Sequence, residues 1–242
     1  MEVRDFSDKF DVLISSYALR ASYGNTDSPG SIELDEYEKS VLLTKAQEEL
    51  VLGLYTGKNI SGESFEQTEE LRRYLSSLVK EAVLSPITTT NGNVLGMEST
   101  SKFFTLPEDL WFITYESAKV SDAKCENMSV MDVYPVRQDE YHKLKKNPFR
   151  GANDRRALRL DLSENNVEII SKQTVTQYYV RYLQKLHPII LTDLEDGMVI
   201  NGEARARNCE LHESLHQRIL DLAVQMALQS RGVKINNNKE NN

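Results

Sequence analysis

Hydrophobic spacing changes twice along these 242 residues, and the two changes limit the fold more than any motif does. In roughly the first 85 residues apolar side chains recur at the spacing of one helix face. Asp5 is placed to cap a first helix with Phe6, Phe10, Leu13, Ile14 and Tyr17 on one stripe. The run "SYGNTDSPGS" breaks it. Asp35 and Glu38 match an Asp-type capping box opening a second helix through "EYEKSVLLTKAQEELVLGLYTG", and Gly57 is a left-handed stop. Ser64 with Gln67 reads as a further capping box. It predicts a third helix with Leu71, Tyr74, Leu75, Leu78, Val79, Ala82 and Val83 on its inner face, ended by Pro86.

From Ile87 to about Leu191 the period becomes two. "SKFFTL", "LWFITYESAKV", "MSVMDVYPV" and "QTVTQYYVRYLQKL" are rich in aromatic and β-branched residues and predict strands. "RALRLDL" and "VEIIS" flank "SENN", a hairpin whose asparagines tolerate left-handed backbone. "RQDEYHKLKK" predicts a short helix within the sheet. Helical spacing then returns from Asn208 or Cys209 to about Arg231. The expected fold class is α+β: a helical bundle, made of the N-terminal helices plus the C-terminal helix, with an inserted mainly antiparallel β domain. The expected boundaries are 1–85, 86–205 and 206–232, with a disordered polar tail over 233–242. The loop Ser22–Ser31 is expected to order only on contact with partners, as is that tail.

Composition narrows the functional classes. No apolar run approaches the ~20 residues of a membrane span. "MEVRDFSDKF" lacks the apolar core of a signal peptide. Two cysteines, Cys125 and Cys209, make no disulfide framework. The net charge of −8 argues against a general nucleic-acid coat. Charge is nevertheless uneven: Ser31–Glu70 holds ten acidic and three basic residues, whereas Arg137–Arg159 holds eight basic and three acidic. Opposed patches on one chain suit docking or self-assembly, and they also suit plain solvated faces.

"CELHESLHQRIL" contains His212-Glu213-Ser214-Leu215-His216, the spacing of a zinc-hydrolase helix. The surrounding pattern opposes that reading. Ile219 and Leu222 stand where the extended motif needs Gly and His, and downstream carboxylates are limited to Asp221 and Glu240. Ile219, Ala223, Met226 and Ala227 continue the histidine face as a packed stripe. No Walker A, G-x-S-x-G, G-x-G-x-x-G or C-x-x-C pattern occurs. No catalytic residue, metal ligand or cofactor is assigned, and a non-enzymatic role is expected. For His187-Pro188 a strand-edge break is expected. For Trp111, Phe112, Tyr178, Tyr179 and Tyr182 the expectation is sheet core and sheet surface.

Four segments, in order, carry a resemblance: "LDEYEKSVLLTKAQEELVLGLYTG", "FFTLPEDLWFITYESAKV", "YPVRQDEYHKLKKNPFRGAND", and "YYVRYLQKLHPIIL" with the terminal "LHESLHQRILDLAVQMAL". From about Asp35 to Ser230 the chain resembles the head-to-tail connector (neck ring or adaptor) proteins of tailed bacteriophages, particularly crAss-like phages. The resemblance implies a virion protein at the portal–tail junction, made in the cytoplasm of the bacterial host. It implies a ring of twelve copies beneath the portal, extending the DNA channel and receiving the next tail ring. Genomic DNA would pass through without specific binding, and no membrane is involved. Residue chemistry adds candidate interface residues: Lys143, Lys145, Lys146, Phe149, Arg150, Arg155 and Arg156 in the basic strip, and Leu215, Ile219, Leu222 and Met226 on the last helix. For Asn147-Pro148-Phe149-Arg150 the alternative is a turn that stops a helix, with Phe149 as its anchor. The competing functions are a DNA-binding module using residues 137–159 and, more remotely, a zinc-dependent hydrolase using 212–216.

Overall fold

The computed structural model describes residues 1–22, 33–58, 64–65, 67–87, 101–122, 125–163 and 165–231. The expected partner-ordered loop, beyond Ser22, and the polar tail lie outside these residues. The described helices are α1 (Val3–Ser22), α2 (Glu36–Thr56), α3 (Glu69–Tyr74), α4 (Gln138–Lys145) and α5 (His216–Ser230). The strands are β1 (Val79–Leu84), β2 (Lys102–Thr105), β3 (Leu110–Asp122), β4 (Cys125–Pro135), β5 (Arg156–Asp161), β6 (Asn166–Ile170) and β7 (Thr174–Gln184). The class is α+β. Two units form: Met1–Leu78 with Leu186–Asn242, and Val79–Lys185. Their borders fall at 78/79 and 185/186, where sequence spacing placed 85/86 and 205/206.

In the helical unit α1, α2 and α5 pack on one another. Phe6, Phe10 and Ile14 bury one stripe of α1, and Leu43, Ala46, Leu50, Val51 and Leu54 the matching face of α2. Each large side chain so buried contributes about 1.5–3 kcal/mol. Asp5 lies inside the first turn of α1, which begins two residues earlier than the expected cap. At α2 the capping box forms: Glu38 N–H donates to Asp35 Oδ1 at 2.6 Å, and Asp35 N–H to Glu38 Oε2 at 3.4 Å. Gly57 closes the helix at φ 75°. The buried Lys39 ties α2 to α1, its ammonium 2.8 Å from Asp11 and 3.2 Å from the Ser7 hydroxyl.

One face of α2 is buried yet polar. Ser40, Thr44 and Gln47 recur at helical spacing and take up the backbone of the extended segment after β7. Leu191 N–H donates to Ser40 Oγ at 3.0 Å, and Ile189 N–H to Thr44 Oγ1 at 3.1 Å. Gln47 Nε2 donates to His187 O at 2.9 Å. On its other edge Ile190 pairs with the backbone of Arg207, so the helix side chains satisfy the alternate buried amides that face α2.

The third helix departs from expectation. Its cap is Thr68, whose Oγ1 accepts from Leu71 N–H, and it ends at Tyr74. Ser64 and Gln67 bond to each other in a turn that ends just before that cap. A 3₁₀ turn at Ser76–Leu78 follows, and Val79, Ala82 and Val83 lie in β1, not on a helix. The cause is tertiary: β1 pairs antiparallel with β7 from Val79↔Leu183 to Leu84↔Tyr178.

The second unit is a seven-stranded sheet in the order β1-β7-β3-β4-β5-β6-β2. All pairs are antiparallel except β4–β5. A parallel pair needs a crossover, and α4 with the turn after it supplies one. Asn165 takes the left-handed conformation at φ 57° in the expected β5–β6 hairpin. Phe104, Ala118, Val120, Met131, Ala157, Ile169, Tyr178 and Val180 form one core. Inside the sheet Arg159 Nη1 donates to both oxygens of Glu116 at 2.9 Å, and the Tyr178 hydroxyl donates to Glu116 Oε2 at 2.5 Å. Burial pushes the Glu116 carboxyl up against the opposing pull of Arg159 and Tyr178. Arg159 Nε lies 3.0 Å from Asp161 Oδ1 as an ion pair without hydrogen-bond alignment.

Glu168 on β6 is fully buried, and neither carboxylate oxygen has an aligned donor among the described residues. Burial pushes its pKa above the ordinary value, with Ser101 acting in the opposite sense. The folded state therefore holds this proton more tightly than the unfolded chain. Stability falls as pH rises from about 4.3 to the raised folded value. Glu168→Gln removes that slope: relative to the parent, its melting temperature rises at pH 8 and changes least at pH 4. In the helical unit, Thr44→Val leaves the buried Ile189 N–H without its acceptor. The expected cost is about 1–3 kcal/mol, read as a melting point lower by about 2–4 °C per kcal/mol.

Candidate functional site

The crossover between β4 and β5 carries most of the basic strip. Tyr141 anchors α4, buried against Leu158, Leu160 and Ile170. Beyond the helix the chain makes a braced turn. Asn147 Oδ1 accepts from Phe149 N–H at 2.9 Å and Arg150 N–H at 3.2 Å. Gly151 N–H donates to Asn147 O at 2.8 Å. A side chain at Gly151 would place its Cβ 2.9 Å from both Leu144 O and Asn147 O, so the close approach requires glycine. Arg156 Nη1 donates to Phe149 O at 2.9 Å, and its guanidinium sits 4.5 Å from the Tyr134 ring centroid.

This bracing holds Phe149 in solvent, 84% exposed. The reading of Phe149 as the turn's anchor is therefore corrected; Tyr141 has that role. Lys143, Lys145, Lys146, Arg150 and Arg155 are exposed around it, while Arg156 is half-buried. Arg159, the last cation of the strip, is buried with Glu116 and is no part of this surface.

The last helix divides differently. Leu215 and Ile219 are buried within the chain, so they belong to its core and are removed from the candidate interface. Leu222 and Met226 are half-buried and keep a solvent-facing edge. Helix α5 begins at His216, not at Asn208 or Cys209, after a 3₁₀ turn at Glu213–Leu215. His212 is the cap of that turn, with Nδ1 accepting from Ser214 N–H at 3.3 Å. The two histidines therefore do not stand on one face of one α-helix. Both ring nitrogens of His216 are engaged: Nδ1 lies 2.9 Å from the Met1 amine and Nε2 2.9 Å from Leu211 O. Among the described residues no His/Cys/Asp/Glu group has metal-binding geometry. Cys209 donates to Gln47 Oε1 at 3.2 Å, and burial pushes its thiol up to about 11. His187 follows β7 and pairs through Nδ1 with Glu203 Oε1 at 2.6 Å.

A second exposed turn went unread in the sequence. Between Ile190 and Arg207 the chain runs out and back, joined by Leu194 N–H to Ala204 O at 2.8 Å and by the Ile200↔Glu203 bridge. Asn201 and Gly202, at φ 49° and 85°, make the reversal, and Asn201 Nδ2 donates to Glu48 Oε1 at 2.9 Å. Glu195, Asp196, Met198 and Val199 are exposed on this excursion. The Asn-Gly pair after "DLEDG" was the available signal.

What the described residues offer is surface: two braced turns of opposite charge, each with exposed apolar side chains. Over residues 1–239 the chain matches the profile of the phage tail ring protein 3/4 family, and it belongs to that family of structural phage ring proteins. It is 44% identical over 243 aligned positions to "Ring protein 3" of Bacteroides phage crAss001, covering 99% of this chain and all of that protein. It is also 32% identical over 238 positions to "Ring protein 4/5" of the same phage, covering 94% and 92% of the two chains.

Burial holds the His216 imidazole below its ordinary value of 6.5, with the Leu211 carbonyl opposing. The unfolded chain thus takes up this proton more readily. The contribution is present above about pH 6.5 and is lost as pH falls toward the lower folded value. In His216→Gln that part of the acid loss disappears, as denaturant midpoints between pH 5 and 8 will record. Zinc or chelator added to the parent shifts none of these midpoints.

Proposed function

We propose that this chain is a subunit of a closed ring at the portal–tail junction of a crAss-like phage, joining portal to tail and extending the DNA channel. The observation that carries the reading is the match to a ring-protein family along essentially the whole chain. The distribution of charge supports it. The unit 79–185 has 15 Lys/Arg against 14 Asp/Glu, net +1, whereas the remainder has 14 against 23, net −9. A ring needs unlike patches that meet head to tail, and a chain so divided provides them. Its net acidity also leaves passing DNA phosphates unbound. The reading takes the sheet as a domain inserted into the helical bundle, and the copy number as twelve. Its role is structural rather than enzymatic, with no cofactor.

Mass analysis of purified virions and imaging of their portal–tail junction test the proposal. The expected result is this chain as a stoichiometric virion component and a closed twelve-fold ring at that junction. A protein missing from virions, and monomeric even when mixed with portal, overturns it. If the basic strip is instead a DNA-binding surface, duplex affinity will fall steeply with salt.

A further inference from the structure

We infer that the Phe149 turn of one subunit seats on the 193–199 turn of a neighbouring copy of the same chain; the inference rests on the ring reading and names the contact that closes it. Both surfaces are built before any partner arrives. Asn147 Oδ1, Gly151 and the Arg156 bond to Phe149 O hold the first turn. The second is held by Leu194 N–H to Ala204 O, by Met198 N–H to Glu195 O at 3.0 Å, and by Asp193 Oδ1 accepting from Ala206 N–H at 2.7 Å. Preformed turns lose little conformational entropy on docking.

Their chemistry is complementary in two respects. Lys146 and Arg150 flank Phe149 and are exposed; Glu195 and Asp196 precede Met198 and are exposed. Phe149, at 84% exposure, has an apolar counterpart in Met198 at 44% and Val199 at 55%. An unbranched thioether beside an aromatic edge makes a favourable contact and adapts its shape to the ring. An aromatic held in water by a rigid turn contributes nothing to its own fold. An aromatic anchor with cations around it is a common centre of a protein interface. The second copy is the occupant because the acidic excess lies in the unit that bears Glu195 and Asp196, and the cationic turn in the other. The contact joins different patches, so it is heterologous and propagates around a ring.

The test uses the full chain and reads assembly by sedimentation velocity at low and high salt. K146E/R150E and E195K/D196K should each weaken association about tenfold or more, and the combined four-site swap should recover most of it. Phe149→Ala should weaken association roughly thirtyfold without lowering the melting temperature, because the ring is exposed. A zero-length carbodiimide joins touching amines and carboxylates. In oligomers mixed from isotopically light and heavy chains, it should link Lys146 of one copy to Glu195 or Asp196 of another. Rings that form unchanged in all variants, or reversals that the swap does not rescue, overturn this seat and leave the ring reading standing. So do reversals that affect only binding to a different ring protein or to duplex DNA. A chain that stays monomeric with portal present removes the ring reading and this contact together.

Discussion

The helical unit depends on a helix that buries polar side chains on purpose. Ser40, Thr44 and Gln47 occupy positions where α2 would otherwise be apolar, and they hold the backbone of His187, Ile189 and Leu191. The alternation matters: every second residue of an extended chain offers its amide groups toward the same side, and the helix presents one acceptor or donor per turn to meet them. Pro188 has no N–H and lies between two of the bonded residues, so it leaves no donor unmet. Ile189 and Ile190 are then fully buried with their amides paired, Ile189 N–H to Thr44 Oγ1 and Ile190 N–H to Arg207 O. A one-residue slip would turn the amides of Ile189 and Leu191 away from α2 and strand three polar side chains without partners.

The sheet has a comparable constraint in Glu116, Arg159 and Tyr178, which sit on β3, β5 and β7. A buried ion pair contributes little net stability, since desolvation offsets most of the attraction. Its geometric demands are strict, however. Burial works against the Arg159 charge, but Glu116, Tyr178 and Asp161 outweigh it, so the guanidinium stays firmly protonated. Any other register would leave a charge in the core unpaired. The long β3 needs such a fix, because its pairing with β7 shifts register at three places.

Elements with local chemistry of their own were legible in the sequence. The Asp35/Glu38 box, the Gly57 stop, the Asn165 reversal and the aromatic strands each follow from one or two residues acting on neighbouring backbone. The failures share a cause. Leu75, Leu78, Val79, Ala82 and Val83 satisfy helical spacing, but Val79–Val83 is claimed by β7, a partner about a hundred residues away in sequence. The zinc-like spacing at His212–His216 has the right letters across a 3₁₀ turn rather than an α-helix. The polar ladder of α2 was visible as three residues at helical spacing. Its meaning required knowing that an extended segment lies along it. Of the interface candidates, Leu215 and Ile219 are apolar, and for that same reason the chain buries them itself.

Phe149 shows how topology makes exposed surface. A parallel neighbour for β4 obliges the chain to cross over, and here the crossover is only α4 and one turn. Tyr141 is the side chain by which that crossover grips the sheet, and the turn beyond it must reverse within a few residues to enter β5. Gly151 and Asn147 make the reversal tight, and tightness points the residue between them outward. A small or polar residue there would satisfy the fold equally well. The position holds phenylalanine among exposed cations, a side chain that the fold itself leaves 84% exposed, and the seat proposed above gives it a role.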